Sequence, residues 1–592
     1  MGSTFIASTR IGKLKKLGNL SSNLINEYGY FYFLRVAFYE LRRQKLKLFF
    51  PDPENKIALE QTMHIDAVRN YENFYTQNKL HQDEIKEIQT KLNFRPKFTI
   101  LINDDKKNIE LTLESLKNQI YTNYKVIVFS SDEKNVRNLQ IDDFQEIKVI
   151  TKMNELLENS NGDFICFLES GSTLSSDALF KMYRFLNKFN DSEIIYADND
   201  YYEKKRSIRI VPFFKPDWSP HLFLNMNYLE PFYLIKHKIL QRINFDEISN
   251  ILPFFDILIR ATEISTKIMH YNFPISTIHK KNTRKEHFDE GIKIISNHLD
   301  RKKIMGNVTK GILPNTYRIQ YANEAEPLVS ILIPTRNNEK ILQRCIESLE
   351  NNTTYKNWEI IIIDNNSTKT KTKKYYESLS HKIINFNEPF NFSKMNNLAV
   401  KHAKGELLLF LNDDTQIINS ESLEEMVNLC SQNHVGAVGA KLIYSDDTIQ
   451  HAGIAFLKTG AGFHPFQRIN ESKGGYYNLI NVTRECSAVT GACLLVRKEI
   501  FDKVNQFDED FDLYYGDSDL CLKIIQLGFS VLYTPHAKLL HEGSYSIQKQ
   551  VAFHFAIENH HHFIKKWPFL KNGDPFYNSN LDWNYSLRFI ER

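Results

Sequence analysis

Lys404-Gly-Glu-Leu-Leu-Leu-Phe-Leu411 runs directly into Asn412-Asp-Asp-Thr415, so an unbroken apolar run ends on carboxylates. A strand with no polar face must be buried on both sides, which points to a mainly parallel sheet covered by helices. Ile360 to Ile363 reads the same way and ends at Asp364. Earlier in the chain, Asn161-Gly-Asp-Phe-Ile-Cys-Phe-Leu168 matches the 404–411 stretch, and the match extends outward. Phe98-Thr-Ile-Leu-Ile102 pairs with Val329-Ser-Ile-Leu-Ile333, Glu114-Ser-Leu116 with Glu347-Ser-Leu349, and Tyr121 to Val128 with Tyr355 to Ile362. Asp256-Ile-Leu-Ile-Arg260 pairs with Asp519-Leu-Cys-Leu-Lys523. The order is kept while the loops lengthen, the mark of an internal repeat of a whole domain.

The expected architecture is α/β, with two tandem Rossmann-like domains of mainly parallel sheet preceded by a helical extension. The boundaries are 1–94 for a basic helical extension, 95–310 for the first domain, 311–327 for a linker and 328–592 for the second domain. A length of 592 residues, with 42% hydrophobic and 25% charged residues, suits several folded domains. The net charge of +4 over that length gives no ground for a nucleic-acid partner.

Charge is nevertheless concentrated in residues 1 to 50. Arg10, Lys13, Lys15, Lys16, Arg35, Arg42, Arg43, Lys45 and Lys47 stand there against Glu27 and Glu40, among aromatics from Tyr28 to Tyr39. Two readings stand: a helix lying on an anionic membrane surface, or a solvated helical cap on the next domain. No window is apolar enough for a spanning helix, and no secretory or myristoylation signal is expected. Cys166, Cys345, Cys430, Cys486, Cys493 and Cys521 lie apart in apolar contexts, as buried reduced thiols do. The expected location is the cytoplasm, or the inner face of the cell membrane if the basic segment binds it.

In open parallel sheets ligands bind beyond the carboxyl ends of the strands. Three strands of the second domain end at Pro334-Thr-Arg-Asn337, Asp364-Asn-Asn-Ser367 and Asn412-Asp-Asp-Thr415. Carboxylates there can hold a divalent cation against a diphosphate or accept from a ribose, and the same residue types also simply make turns. Downstream come Ala488-Val-Thr-Gly-Ala-Cys493, Phe507-Asp-Glu509, Tyr515-Gly-Asp-Ser-Asp-Leu520 and Leu540-His-Glu-Gly-Ser544.

With Ser330-Ile-Leu-Ile-Pro-Thr335, Phe390-Asn-Phe-Ser393, Gly436-Ala-Val-Gly-Ala-Lys441 and Gln450-His-Ala-Gly453, these segments resemble the family two glycosyltransferases of GT-A fold. The likeness is to two-domain bacterial enzymes of O-antigen and rhamnan assembly. It covers about residues 95 to 592 and is strongest in the second domain.

The resemblance implies an inverting, metal-dependent hexosyl- or deoxyhexosyltransferase. It would move a sugar, rhamnose among the candidates, from a nucleotide-sugar donor to a hydroxyl of a growing, lipid-linked surface glycan. Asn412-Asp-Asp414 stands at the family's Asp-x-Asp motif, with Asn412 in place of the first acid and Asp413 beside it. Asp414 and His541 are then the ligands of Mn²⁺ or Mg²⁺. Pro334, Thr335, Arg336, Asp364, Asn365 and Asn397 would serve the donor. Thr490 and Gly491 would lie near the acceptor, although Gly491 is equally well a tight strand turn.

Asp517 matches the family's general base, needed because an acceptor hydroxyl must lose its proton as it attacks. Asp519, two residues on, is grouped with the acceptor side and read as the cap of the following helix, with the reverse assignment of Asp517 and Asp519 left open.

The first domain departs at these positions. It has Glu169 in Leu168-Glu-Ser-Gly-Ser172 and Phe254 where Asp517 stands, while Asp256 and His279 remain. It resembles a catalytically lost copy, with Glu169, Asp198 and Asp200 left as a weaker candidate site. The alternatives are a bifunctional transferase with both domains active and a glycan-binding pseudoenzyme scaffold. A processive synthase would want a Gln-x-x-Arg-Trp segment, which His562-Phe-Ile-Lys-Lys-Trp567 does not supply.

If the basic segment lies on a membrane, the chain will sediment with anionic vesicles and release as salt rises. Each Lys or Arg near the surface contributes on the order of 1 kcal/mol. Equal sedimentation with neutral and anionic vesicles assigns the segment to the solvated cap.

Overall fold

Eight strands in one spatial order occur twice in the computed structural model. It describes residues 71–80, 82–103, 109–130, 147–203, 208–279, 287–541, 543 and 549–581. The first sheet runs Ile147–Ile150, Tyr124–Phe129, Phe98–Asn103, Phe164–Glu169, Phe232–Lys236, Ile194–Glu203, Ile268–Ile278 and Ser172–Leu174. The second runs Lys382–Asn385, Trp358–Asp364, Val329–Thr335, Leu407–Leu411, Cys493–Arg497, Val435–Ile443, Ser530–His541 and Thr415–Ile417. In each, the first four strands are parallel and the fifth is reversed. The sixth and seventh resume the first direction, and the short eighth is reversed again.

The apolar runs dictate this arrangement. All five residues of Leu407–Leu411 and all nine of Val435–Ile443 are buried, as strands between two helical layers must be. Ordinary amphipathic helices cover them. Glu339–Asn352, for example, buries Leu342, Cys345, Ile346 and Leu349 and exposes its charged face. The six cysteines are buried free thiols. Among the described residues no helix is long and apolar enough to cross a membrane. The extension is helical at residues 71–77 and Gln82–Lys91, while the basic segment lies outside the described residues.

The segment expected as a linker is packed. Tyr317–Tyr321 pairs antiparallel with Gly306–Lys310, buries Ile319 and Tyr321, and sends Arg318 to Glu425 at 3.1 Å. Nor do residues 328–592 stay with the second sheet. Asn578 donates to Lys215 O at 2.9 Å, and Asp217 N donates to Pro575 O at 2.8 Å, tying residues 575–578 to the first. One apolar core joins the two sheets. Across the junction, Phe213 stacks on Tyr477 at 3.8 Å, and the buried Glu485 accepts from His221 Nδ1 at 2.6 Å and from the Ser219 hydroxyl.

In the first copy two of the three residues of the weaker candidate site are closed off, while Glu169 is half-buried at the end of its strand. Asp198 and Asp200 are wholly buried. Asp198 accepts from Lys215 N and His270 Nε2, both at 2.8 Å, and Asp200 accepts from the Tyr71 hydroxyl and from Arg209 Nη1 at 3.1 Å. Burial lowers the affinity of His270 for a proton, yet Asp198 and Asp217 hold its pKa up to about 9. Lys215 Nζ is spent on three carbonyls, those of Ala197, Leu229 and Glu230. Phe254 packs edge-on against Phe167 at 5.1 Å, and His279 Nε2 meets the Thr173 hydroxyl at 2.8 Å. These polar groups have become internal ties, as buried charges require.

Because Glu485 sits inside the junction, Glu485→Ala strands His221 and Ser219 and should cost about 3–5 kcal/mol. The thermal unfolding midpoint of the whole chain checks this. A midpoint equal to the wild type would show that the junction contributes no stability.

Candidate functional site

The site follows from strand register. Leu411 pairs with Cys493, so one chain leaves the sheet where its antiparallel neighbour enters. Asn412-Asp-Asp414 thereby emerges beside Thr490-Gly-Ala492. Thr335 pairs with Asp364 on the other flank, and Thr415 pairs with His541, which sets the histidine next to Asp414. These ends open into a cleft of about 950 Å³.

Of the residues expected from sequence, Pro334, Thr335, Arg336, Asn365, Asn412, Asp413, Asp414, Thr490, Asp517 and His541 line this cleft. His541 Nε2 lies 3.0 Å from Asp414 Oδ1 and 3.4 Å from Asn412 Nδ2, while its Nδ1 lies 2.6 Å from Gln450 Oε1. An amide oxygen accepts only, so Nδ1 carries the proton and Nε2 keeps its lone pair in the neutral ring. A nitrogen lone pair and a carboxylate oxygen at that separation repel unless a proton or a cation lies between them. The donor set therefore fits a divalent cation.

Asp413 accepts from the Thr335 hydroxyl at 2.7 Å. Burial, reinforced by Asp414, raises its pKa to about 6.

Asp517 is the second residue of helix Gly516–Gln526, entered through Tyr515 in the left-handed region at φ 67°. That conformation is costly for a tyrosine and turns the helix start into the cleft. Tyr515 is held by packing its ring against Phe563 at 4.5 Å and by a 3.0 Å contact from its hydroxyl to His560 Nδ1. Asp517 Oδ2 accepts from Gly491 N at 2.9 Å and Oδ1 from Ser518 N at 2.7 Å. Burial outweighs these donors and lifts its pKa, which makes the carboxylate more basic. A Cβ on Gly491 would meet Phe392 at 3.1 Å and Asp517 Cβ at 3.5 Å, so glycine permits the close approach. Gly491 is thus a backbone clamp on Asp517 and not a wall of the cleft.

Three expected residues are bonded to protein groups and do not line the cleft. Both oxygens of Asp364 accept from Ser367 N at 3.2 Å, and Oδ1 also accepts from the Tyr376 hydroxyl, so here the carboxylate makes a turn. Asn397 joins its helix to Phe507 and Glu509 through buried bonds of 3.0 and 3.1 Å.

Asp519 is neither the helix cap, a position Tyr515 fills, nor on the cleft. Fully buried, it pairs with Lys566 Nζ at 2.8 Å and Lys523 Nζ at 3.3 Å and accepts from Trp567 Nε1 at 2.9 Å. The first copy keeps the same device, Asp256 with Arg260 at 2.9 Å, four residues into its helix, while its Asp517 counterpart is Phe254. The ion pair accompanies the fold, and only Asp517 accompanies the open cleft. Sequence reasoning missed Gln450, although Gln450-His451 was among the segments carrying the resemblance, and it missed Tyr515, whose role depends on a backbone angle.

Residues 330–504 match the family described as Glycosyl transferase family 2. Asp517 and His541 lie beyond that match. The chain is 29% identical over 541 residues to the uncharacterized protein y4gI of Sinorhizobium fredii, covering 84% of this chain and 59% of the relative. It is 31% identical over 445 residues to the O-antigen biosynthesis protein RfbC of Myxococcus xanthus, covering 72% of this chain and 34% of that protein. To the dTDP-rhamnosyl transferase RfbF of Shigella flexneri it is 24% identical over 219 residues, 36% of this chain and 67% of that one. The chain thus spans about three fifths and one third of the length of the first two relatives.

Asp519→Asn removes the anion between Lys523 and Lys566, and should lower stability by on the order of 3 kcal/mol. Asp517→Asn should leave the thermal midpoint near the wild type. The reverse ranking would return Asp519 to the list of base candidates.

Proposed function

We propose that this chain, which carries a Glycosyl transferase family 2 domain over residues 330–504, is an inverting glycosyltransferase whose working site is the second-domain cleft. One observation carries the reading: a basic carboxylate, Asp517, is clamped by Gly491 N–H in the same cleft as the Asp414 and His541 donor pair. One base and one charge-neutralising centre suffice for displacement of a nucleoside diphosphate, since the departing group needs no proton.

Pro334, Thr335, Arg336, Asn365, Asn412 and Asp413 bind the nucleotide-sugar donor, and Thr335 holds Asp413 in place. Asp414 and His541 would hold Mn²⁺ or Mg²⁺, with Gln450 fixing the histidine tautomer. The cation supplies positive charge to the diphosphate when bound.

Asp517 takes the proton from the acceptor hydroxyl as that oxygen attacks the anomeric carbon. The carbon–oxygen bond to the diphosphate breaks with its electron pair on the leaving oxygen, and one displacement inverts the centre. The acceptor side is walled by Thr490. An O-antigen-type glycan as acceptor is supported by the O-antigen relative, and a deoxyhexose donor such as activated rhamnose by the rhamnosyl relative. The first domain acts as a closed partner in the fold, since Asp198 and Asp200 are sealed.

Turnover and bound donor, measured separately over a panel of nucleotide sugars with Mn²⁺ or Mg²⁺, test this. Asp517→Asn should lose roughly 10²- to 10⁴-fold in turnover with donor binding little changed. Asp414→Ala should lose metal-stimulated turnover. Full activity of Asp517→Asn removes the base assignment, and full activity of Asp414→Ala in excess chelator removes the metal.

A further inference from the structure

His451 ends the short strand Ile449–His451, and His464 follows the strand Gly462–Phe463. Their rings cross at 73° with the two Nδ1 atoms 2.9 Å apart. Two ring nitrogens at that distance share one proton. The backbone tells which ring supplies it. Gly453 N and Thr490 N both point at His451 Nε2, at 3.3 and 3.4 Å, so that nitrogen accepts and His451 carries its proton on Nδ1. His464 Nδ1 then accepts, which leaves the His464 proton on Nε2.

His464 lines the cleft with Thr490 and Asp517. Among the described residues, no protein acceptor is bonded to its Nε2–H. Burial keeps both rings uncharged, His451 far below the ordinary histidine range and His464 at about 4.

We propose that His464 is a substrate-binding residue whose Nε2–H donates to a hydroxyl oxygen of a sugar in the cleft, with His451 as the positioning residue that fixes its tautomer. The proposal rests on the glycosyltransferase reading and assigns it a hydroxyl-recognising contact. A neutral donor suits that work. An imidazolium would instead be drawn to Asp413, Asp414 or Asp517, whereas an uncharged N–H leaves those carboxylates free and binds a sugar oxygen. His451 also joins this contact to the base, because it holds Thr490 N while the next residue, Gly491, holds Asp517.

Two measurements on the full chain test the proposal. Proton–nitrogen correlation spectra of ¹⁵N-histidine protein, assigned with the His451→Phe and His464→Phe variants, should show His451 protonated on Nδ1 and His464 on Nε2. Transfer is then assayed from UDP-glucose, UDP-galactose, UDP-N-acetylglucosamine, GDP-mannose and dTDP-rhamnose. His464→Phe should lose about tenfold in kcat/KM with the donor that works best, the weight of one hydrogen bond. His464→Gln, whose side-chain N–H falls near the Nε2 position, should recover most of it. A purely structural role predicts equal losses for Phe and Gln.

His464 protonated on Nδ1, equal losses for the two variants, or undiminished kcat/KM in His464→Phe overturns the proposal while the wild-type activity stands. No transfer by the wild type from any of these donors overturns the glycosyltransferase reading and this proposal with it.

Discussion

The buried strand Leu407–Leu411 constrains everything around the cleft. It is bonded on one side to Val329–Thr335 and on the other to Cys493–Arg497, and none of its side chains reaches water. Burying each Leu or Phe is worth roughly 1.5–3 kcal/mol, so the strand resists any shift in register. Its entry is equally fixed: a Cβ on Gly405 would sit 2.6 Å from Ser330 N, so the chain can approach its neighbour only through glycine. With both ends pinned, Asn412-Asp-Asp414 and Thr490-Gly-Ala492 must emerge side by side. The pairing of Thr415 with His541 completes the set.

The same scaffold without the chemistry is visible in the first copy. Strand order is identical and the helix-borne ion pair is retained, yet Phe254 replaces the base and Asp198 and Asp200 face inward. Asp198 is paired with His270 and Asp200 with Arg209, and the Lys215 backbone N–H, the Tyr71 hydroxyl and the returning Asn578 amide supply further hydrogen bonds. A cleft needs carboxylates left without protein cations, and a structural domain needs them paired. The two halves show both outcomes on one fold, joined through a shared core and the Glu485 contact with His221.

Much of this was legible in the sequence because continuous apolar runs and a domain-scale repeat fix strands and their order. The strand ends at Pro334–Arg336 and Asn412–Asp414, with Asp517 and His541 downstream, were found because they follow immediately on buried runs or carry the family resemblance. What local sequence did not carry is the set of protein partners that each candidate side chain meets. Asp364 accepts from Ser367 N and the Tyr376 hydroxyl. Asn397 is held by Phe507 and Glu509, and Asp519 by Lys566 and Trp567 besides the local Lys523, so local spacing carried only the last of these partners. The left-handed Tyr515 and the His451 and His464 pair depend on backbone angles and tertiary contacts for the same reason.

The central claim is one donor site per chain, the second-domain cleft, with Asp198 and Asp200 sealed among the described residues of the first domain. Titration calorimetry of the full chain, with Mn²⁺ and the nucleotide sugar it transfers best, measures this directly. The account predicts one mole of donor bound per mole of chain. Two moles bound per mole would contradict it, since the second would have to occupy the first domain, where Asp198 and Asp200 are sealed.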